Sequence, residues 1–462
     1  IRTQHRGKVA AVGVSLGGNA LLRWAEEAGE SAAQIASAVC AVSSPIDLAA
    51  GGRAIGTGFN RQVYSRMFLR SMKPKALAKL AQHPGLYCAV PGAAGLAAQP
   101  ADPQDHRHPL NFAVPGQTAK LAAMKAWRAS ILYFAGPEQA HQAVLESDGL
   151  LVTGPDAQGR QRVQAVGAYS QLAPRFAAVP TEHLPGRIIA PGFVDMHIHY
   201  PQLDVIGSPA DGLLPWLESY TFPHEKRFEV PEYSAQAATV FIAELLRNGV
   251  TTALSFASSH PASVNALFAE AQKHRLRLIA GKVLMDQNAP DGVRDATEQS
   301  LVDTESLIQR WHGLDRLGYA ITPRFVPSCS KAQLRGAGEL AARYPDVWIQ
   351  SHVAENKDEI AWVTDLFPAA RSYLSVYEQF GLMRPRAVYA HCIHFNDEDR
   401  SLMRSTGAVA AVSPTSNLFL GSGFFDYKGA DRVGFGYGLA SDVGGGTSFS
   451  PFHTMLAAYY VG

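Results

Sequence analysis

The sequence predicts an α/β protein whose largest part is a TIM-like (β/α)8 barrel, and three observations lead to this prediction. From Gly186 onward, short apolar runs typical of strands alternate with amphipathic helical patterns, as in the βα units of a parallel sheet. Polar residues stand at the ends of several of these runs, where such barrels carry their sites. The composition, with 47% hydrophobic and 18% charged residues, is that of a globular protein. The predicted barrel strands cover residues 188–197, 251–256, 276–284, 319–325, 347–352, 387–391, 408–412 and 438–441. The predicted helices cover residues 235–247, 263–274, 297–311, 332–343, 359–367, 398–405 and 454–461.

The charge distribution indicates that the barrel is joined to a different piece of protein. Residues 1–123 carry 13 Lys/Arg and 6 Asp/Glu, a net charge of +7, whereas the remaining 28 Lys/Arg and 34 Asp/Glu give −6. Residues 91–123 hold 5 Pro, 3 Gly and 9 Ala without a sustained apolar period, as in a linker. Met124 then follows, either as a former start codon or as an ordinary core methionine. We predict four regions: residues 1–90, the linker 91–123, a small β layer at 124–187 and the barrel at 188–462.

The first region contains a nucleophile-elbow pattern around Ser15. An apolar run at 9–14 leads into GVSLG and a helical pattern, the strand–turn–helix context in which glycines allow a serine to be exposed. Residues up to about 87 resemble α/β-hydrolases of the esterase type. An elbow serine needs an acid and then a histidine downstream, and within this region Asp47 is the only aspartate and His83 the only histidine that follow. Ser15 is therefore either an orphan nucleophile in a fragment of an α/β-hydrolase domain or the nucleophile of a working esterase.

The small β layer is predicted from two short apolar runs. They lie near residues 149–152 and 162–166, and the turn-rich sequence Gly154-Pro155-Asp156 separates them. These runs precede the first barrel strand, so we expect a separate layer beside the barrel.

Two histidines, His197 and His199, stand at the end of the first predicted barrel strand. Because residues i and i+2 of a strand project to the same face, both imidazoles can converge on one metal ion. The pair alone is a weak signal, since the linker contains a similar pair, His106 and His108. For His199 taken by itself, a structural histidine is the alternative.

Three further residues strengthen the prediction of a metal site. His352, His391 and Asp442 end the fifth, sixth and eighth predicted strands. Neutral imidazoles with a carboxylate and one open position are what a catalytic Zn²⁺ site requires. The set therefore predicts a metal site at the carboxyl ends of the barrel strands.

Longer motifs surround these residues. They are PGFVDMHIHYPQ from Pro191, TFP from Thr221, TPRF from Thr322, SHVAEN from Ser351, PTSNLFLGSG from Pro414 and DVGGGT from Asp442. From about Met124 to the last residue, the sequence resembles the amidohydrolase superfamily and, more narrowly, its guanine deaminase family. The HxH motif is common to the superfamily, whereas the stretches around Gln202, Arg324 and Asn417 are more specific.

The resemblance implies hydrolytic removal of the amino group at C2 of guanine, giving xanthine and ammonia in purine catabolism. It implies one Zn²⁺ per subunit, held by His197, His199, His352 and Asp442, and a cytoplasmic homodimer. The family continues beyond the eighth strand with elements that complete the small β layer, whereas this sequence ends 20 residues after Asp442. We therefore expect an incomplete β layer with unpaired strand edges.

The resemblance also implies roles for individual residues. Glu355 would transfer protons, Asp442 would serve as ligand and base, and His391 would orient the attacking water or stabilise the developing charge. Phe325 would stack or pack on the purine. Gln202 and Arg324 would read the polar edge of the purine, with ordinary packing at the barrel mouth as the alternative. The full set of implied substrate-binding residues is Gln202, Arg324, Phe325, His199 and His352.

Composition excludes some other classes of partner and site. With 41 Lys/Arg against 40 Asp/Glu, no net charge points to nucleic acid or an acidic membrane surface. Four cysteines without a CxxC motif favour a reducing compartment, and no apolar run is long enough to span a membrane. Gly444-Gly445-Gly446 lacks the phosphate-loop pattern and is predicted to be a tight turn, while Cys329 and Cys392 are predicted to be buried rather than nucleophilic.

Three functional interpretations therefore stay open beside guanine deamination. One is another amidohydrolase deaminase that acts on cytosine, a triazine or a pterin. Another is esterase activity through Ser15. The last is a fused fragment without activity.

Overall fold

The chain divides into two compact units, Ile1–Leu110 and Asn111–Gly462, and each is described by itself. The computed structural model describes residues 9–14, 36–42, 123–134 and 143–462. In the first unit, β1 (Val9–Val14) pairs in parallel with β2 (Ala36–Val42). The strand predicted before Ser15 is thus present, whereas Ser15 itself and the linker up to residue 122 lie outside the described residues.

The small β layer of the second unit is a four-stranded sheet in the order β5-β4-β3-β6. Its β3–β4 and β4–β5 pairs are antiparallel, and its β3–β6 pair is parallel. Ala126, Leu150 and Val152 form its small apolar core together with Leu172 and Val179. The strands are β3 (Lys125–Phe134), β4 (Ala143–Pro155), β5 (Gln161–Ala168) and β6 (Thr181–Ile189).

The barrel is a parallel sheet with the strand order β7-β8-β9-β11-β12-β13-β14-β15, and the short β10 pairs with β11. Its β11 and β13 are buried along their whole length, as expected of parallel strands covered on both faces. The strands are β7 (Phe193–His199), β8 (Val250–Phe256), β9 (Arg277–Gly281), β10 (Val283–Leu284), β11 (Leu317–Pro323), β12 (Trp348–Val353), β13 (Ala387–His391), β14 (Val409–Val412) and β15 (Tyr437–Leu439).

Backbone hydrogen bonds beyond the end of β15 connect the last strand to the first. The Asp442 amide donates to the His197 carbonyl at 2.9 Å, and the His199 amide donates to the Val443 carbonyl at 2.7 Å. The predicted barrel fold is confirmed, and the nearly closed sheet brings the first and eighth strands together at their carboxyl ends.

Two predicted strands need correction. The first barrel strand was expected at 188–197, but Ile188 and Ile189 end β6 of the small layer, and the barrel begins at Phe193. The Ala190-Pro191-Gly192 sequence separates the two strands, because proline and glycine do not continue a regular ladder. The third strand, expected at 276–284, is interrupted at Lys282.

Helices follow most barrel strands, and several begin with a capping side chain. Asn356 and Asn396 each form a capping box with the acidic residue three positions later, and Ser330 accepts from the Gln333 amide. The helices are α1 (Tyr169–Leu172), α2 (Leu213–Trp216), α3 (Phe222–Glu225), α4 (Pro231–Arg247), α5 (Pro261–Lys273), α6 (Thr297–Trp311), α7 (Lys331–Arg343), α8 (Lys357–Leu366), α9 (Tyr373–Gln379), α10 (Asp397–Thr406), α11 (Pro414–Phe419), α12 (Tyr427–Val433) and α13 (Pro451–Val461).

The main core lies between the strands and the surrounding helices, and a smaller cluster fills the barrel interior. Leu254, Ile279, Ala320 and Val388 belong to the interior cluster, so the barrel is filled with side chains as in other folds of this kind. Within the described ranges, none of the helices has the length and apolar character needed to cross a membrane.

Candidate metal centre and substrate cavity

Four side chains converge at the carboxyl ends of the barrel strands. The Nε2 atom of His199 lies 3.2 Å from Nε2 of His197 and 3.1 Å from Nε2 of His352. The Asp442 Oδ1 atom lies 3.1 Å from Nε2 of His197 and 3.4 Å from Nε2 of His199. All four predicted ligands therefore point at one small volume.

These separations fit a metal ion. Bonds of about 2.0–2.1 Å in a tetrahedron put neighbouring ligand atoms about 3.3–3.4 Å apart. The observed distances of 3.1–3.4 Å are close to that edge length. Three imidazoles and one carboxylate are also the donor types that a zinc ion takes. The residues present therefore fit a single metal ion.

The protonation states of the cluster favour metal binding as well. Burial is the main cause that holds the pKa values of His199 and His352 well below the usual range, so both imidazoles are neutral. Burial opposes ionisation of Asp442, but its interactions with His197 prevail and lower its pKa to about 2. The Nδ1–H of His352 donates to the Arg324 carbonyl at 2.6 Å, which leaves the Nε2 lone pair facing the cluster.

The backbone around Asp442 is held by Asp195, a buried residue of β7. One Asp195 carboxylate oxygen accepts from the Ser441 amide at 3.0 Å and from the His197 amide at 3.3 Å. Burial raises the pKa of Asp195 to about 6. Asp442 itself has a left-handed backbone (φ 50°), a conformation that non-glycine residues adopt mainly where the surroundings enforce it. Asp195 thus fixes the segment that delivers the carboxylate ligand.

A buried acid, Glu355, lies next to the cluster in the loop after β12. Its Oε2 atom is 3.3 Å from Nε2 of His391, and its Oε1 atom accepts from the Ser422 hydroxyl at 3.3 Å. The Nδ1–H of His391 donates to Oδ1 of Asn417 at 2.9 Å. Burial and the charge of Asp442 raise the pKa of Glu355 well above its usual range, so this carboxyl can hold a proton near neutral pH.

A second buried acid, Glu359 of α8, holds the backbone of Glu355. Its Oε2 atom accepts from the Glu355 amide at 3.1 Å and from the Asn356 amide at 3.2 Å, and its Oε1 atom accepts from the Tyr373 hydroxyl at 2.7 Å. Burial raises the pKa of Glu359 to about 7. The N-terminal cap of α8 therefore also positions the candidate proton-transfer residue.

The cluster opens into a cavity at the carboxyl ends of the barrel strands. Gln202, Arg324 and Phe325 line this cavity together with ligand residues and Glu355. A buried carboxylate, Glu225, contacts two of them. Its Oε1 atom accepts from Nε2 of Gln202 at 3.1 Å, and its Oε2 atom accepts from Nη1 of Arg324 at 2.6 Å.

Every predicted site residue of the barrel lies at this centre, whereas Ser15 lies outside the described residues. The structure adds Glu225, Glu359 and Ser422, which the sequence reasoning did not single out. Glu359 could have been identified from the sequence, because it stands three positions after Asn356 in the pattern of a helix capping box. Glu225 lies two residues after the Thr221-Phe222-Pro223 motif, which does not by itself indicate a role for it.

The predictions for the glycine run and the cysteines agree with the structure. The Gly446 amide donates to the Asp442 carbonyl in a tight turn, and a Cβ on Gly446 would lie 1.7 Å from the Ser441 carbonyl oxygen. Cys329 and Cys392 are buried, and burial raises the pKa of both thiols, that of Cys329 to about 12. Neither thiol is therefore a reactive nucleophile.

The fold and the centre together define a (β/α)8 barrel protein with a metal-binding site at the carboxyl ends of its strands. The chain belongs to the amidohydrolase family, whose family model matches residues 188–460. This match confirms the resemblance inferred from the motifs. The resemblance of residues 1–87 to α/β-hydrolases stays a prediction.

Several relatives of this chain are guanine deaminases. The guanine deaminase of Escherichia coli (strain K12) is 48% identical over 276 residues, which are 60% of this chain and 63% of that protein. A probable guanine deaminase of Deinococcus radiodurans is 37% identical over 344 residues, 73% of this chain and 77% of that protein. The solved guanine deaminase of C. acetobutylicum, with guanine bound in its active site, is 32% identical at a TM-score of 0.68, over 72% of this chain and 78% of that one.

The matched part of this chain spans less than two thirds of several curated relatives. The share is 63% for the E. coli protein and 60% for the human guanine deaminase, which is 36% identical over 276 residues.

Proposed function

We propose that this chain catalyses the hydrolysis of guanine to xanthine and ammonia. One observation carries the proposal: a four-residue metal centre, the buried acid Glu355 and the polar pair Gln202–Arg324 line one cavity. The guanine bound in the active site of the C. acetobutylicum relative supports the same substrate. The reaction would belong to purine catabolism, and the cytoplasmic location and the homodimer stay predictions.

We assign one Zn²⁺ per subunit to His197, His199, His352 and Asp442. Nitrogen and carboxylate donors at tetrahedral separations support zinc rather than Mg²⁺ or Ca²⁺, which prefer oxygen ligands. A bound zinc ion would act as a Lewis acid and would make a water molecule more acidic near neutral pH. His391 would remain outside the ligand set, because its Nε2 atom faces Glu355.

Glu355 would carry protons during the reaction. Water adds to C2 of guanine, and the carboxylate of Glu355 would take its proton and deliver it to the ring nitrogen N3. A second transfer, of the proton on the new C2 hydroxyl group to the amino group, would break the bond between C2 and the amino nitrogen, release ammonia and leave the C2 carbonyl of xanthine. The raised pKa of the Glu355 carboxyl suits both directions of this transfer, and His391 and Ser422 hold its two oxygens.

Gln202, Arg324 and Phe325 would bind the purine. Gln202 and Arg324 offer amide and guanidinium N–H groups, which match the O6 and N7 acceptors of guanine. Phe325 is buried against the cavity with its ring in edge-to-face contact with Trp362, and it would pack on the flat face of the base. His199 and His352 would contact the substrate from the side of the metal.

The substitution Glu355→Gln tests the proposal. It removes the proton carrier but keeps the side-chain volume, so we expect kcat for ammonia release from guanine to fall by about 100-fold or more. Zinc content, measured by mass spectrometry of the purified protein, should not change. Treatment with a chelator should abolish turnover of the wild-type chain, and added Zn²⁺ should restore it.

Glu378→Gln provides the matched control, because Glu378 is exposed on α9 and the chemical change is identical. This variant should keep wild-type turnover. Ammonia release from cytosine, a triazine or a pterin, but not from guanine, would show that the substrate assignment is wrong.

A further inference from the structure

Glu225 lies behind the wall of the substrate cavity and does not line it. It ends α3, has no exposed surface, and contacts Gln202 of the segment after β7 and Arg324 of the segment after β11. Its two carboxylate oxygens are divided between these partners, one each. One acid therefore joins the two polar residues of the cavity wall.

The contacts of Gln202 determine which way its amide points. Its Nε2 atom donates to Oε1 of Glu225 at 3.1 Å, and its Oε1 atom accepts from the Gly444 amide at 3.2 Å. An ionised carboxylate can only accept and a backbone amide can only donate, so the reverse orientation would lose both hydrogen bonds. The second N–H of Gln202 is therefore available to a ligand.

Arg324 is held in a similar way. One Nη1–H donates to Glu225 at 2.6 Å, and the guanidinium carbon lies 5.1 Å from the centroid of the Phe222 ring. Arginine has five N–H donors and no acceptor, so the N–H groups of Arg324 that do not contact Glu225 can also act only as donors. Gln202 and Arg324 together therefore give this wall the character of a hydrogen-bond donor.

Burying the charged side chains of Glu225 and Arg324 costs free energy. Removing two charges from water costs roughly the free energy that their attraction returns, so such a pair is weak evidence for stability. Glu225 and Arg324 are 0% and 3% exposed and adjoin the cavity rather than the main core. The main effect of the ion pair is therefore to orient the side chains of the cavity wall rather than to stabilise the barrel.

We propose that Glu225 is a positioning residue that sets substrate specificity, by fixing Gln202 and Arg324 as donors that select a purine with an acceptor at C6. The inference rests on the proposed function. Guanine has a C6 carbonyl, whereas 2,6-diaminopurine keeps the reacting 2-amino group but presents a 6-amino donor. The N–H donors of Gln202 and Arg324 can therefore form hydrogen bonds with the C6 carbonyl of guanine, whereas they face the 6-amino group of 2,6-diaminopurine donor against donor.

The wild-type chain is measured first with both bases. A mismatch of donor against donor leaves a buried polar group unpaired, so we expect kcat/KM for guanine to exceed that for 2,6-diaminopurine by about 10- to 100-fold or more. If the chain does not release ammonia from guanine, the proposed function fails. If it uses both bases equally well, the proposed function survives and the inference about Glu225 is overturned.

The substitution Glu225→Gln is then compared with Glu218→Gln, a matched change at an exposed position of the same segment. The new amide at position 225 cannot accept from both partners, so Gln202 loses its fixed orientation. We expect KM for guanine to rise about 10- to 100-fold with a smaller change in kcat, and the preference over 2,6-diaminopurine to narrow. Zinc content should match that of Glu218→Gln, whereas the melting temperature should fall, because Glu225→Gln leaves the charge of Arg324 buried without its anionic partner. Unchanged KM and unchanged preference in a folded, zinc-loaded Glu225→Gln variant would overturn the inference.

If the Glu225→Gln variant does not fold, the preference for guanine over 2,6-diaminopurine is measured in the double variant Gln202→Glu with Glu225→Gln. This double variant keeps the total charge and volume of the two side chains. The carboxylate at position 202 can accept from the Gly444 amide and from the side-chain amide at position 225. The side-chain oxygen at position 225 can accept from Arg324. The side chain at position 202 is then an acceptor, so the preference for guanine should fall about tenfold or more relative to wild type. An unchanged preference in this variant contradicts the inference.

Discussion

The Nδ1 atom of the His391 imidazole is hydrogen-bonded to the side chain of Asn417. Asn417 lies on α11, directly after β14, and its Oδ1 atom accepts from Nδ1 of His391 at 2.9 Å. This contact places the other ring nitrogen toward Glu355, 3.3 Å away. His391 also has a left-handed backbone (φ 72°), so both its main chain and its ring are held in place for this contact.

Replacing Asn417 should therefore impair turnover without removing the metal. In Asn417→Ala the ring of His391 loses its acceptor, and we expect kcat to fall about 10- to 100-fold, as for other groups that orient residues of a metal site. Asn417→Asp keeps an acceptor oxygen and should recover much of the rate. The measurement is kcat with guanine across pH 6–9, with zinc content as the control. Equal loss in both variants would point to a packing defect instead.

Individual site residues differ in how far the sequence reveals them. The convergence of the candidate ligands His197, His199, His352 and Asp442 could be predicted because they follow apolar runs, and parallel strands of a barrel end at one face. Glu225 could not be predicted, because it ends a four-residue helix and its partners lie 23 and 99 positions away in the chain. Hydrogen bonds between irregular segments leave no periodic signal.

Among the elements, the third barrel strand contains a buried ion pair where β9 and β10 are interrupted. Lys282 stands between them, is 1% exposed, and its Nζ atom donates to Oδ1 of Asp295 at 2.6 Å and to the Val283 carbonyl at 3.2 Å. The other Asp295 oxygen accepts from the Met285 amide at 3.1 Å. Burial lowers the pKa of Lys282 and raises that of Asp295, while their mutual attraction opposes both shifts.

Loss of one member of this pair should destabilise the protein. Lys282→Met leaves Asp295 buried without its cationic partner, and we expect the free energy of unfolding to fall by about 3–5 kcal/mol. Adding Asp295→Asn removes the second charge and should restore much of that loss. Urea unfolding followed by circular dichroism measures both changes. A double variant as unstable as the single one would mean that the charge of Asp295 is not the cause.

Element boundaries were predictable where burial is periodic. The predicted helix 297–311 coincides with α6, whose buried residues recur at helical spacing. By contrast, β6 was missed and its last residues were assigned to the barrel, because seven of its nine residues are exposed and no alternation marks it. Short helices such as α9, α11 and α12 were also missed, since six or seven residues cover only about two turns.

At the scale of the whole molecule, we propose that residues 1–90 and 124–462 are separate pieces joined by a linker at 91–123. Limited proteolysis should cut first within the Pro/Gly/Ala-rich segment, because such segments are accessible to proteases. The larger product, with a net charge of −6, should bind an anion exchanger and keep its zinc. Mass spectrometry identifies the cut, and a first cut inside residues 188–460 would contradict the proposed boundary.

Two further measurements, independent of the limited digest, test interpretations of the whole chain. A peptide that crosses residues 91–123 in the native protein would show that the two pieces are made as one chain, and its absence would favour a join in the gene model. Labelling of Ser15 by a fluorophosphonate probe would support an esterase, and failure to label would eliminate it.

Arg324 serves both parts of the site with different atoms. Its carbonyl oxygen orients the ring of His352, and its guanidinium faces Glu225 and the cavity. A substitution at this position replaces the side chain but leaves the carbonyl where it is. Substitutions of the Arg324 side chain therefore change the cavity wall, while the carbonyl that accepts from His352 remains part of the main chain.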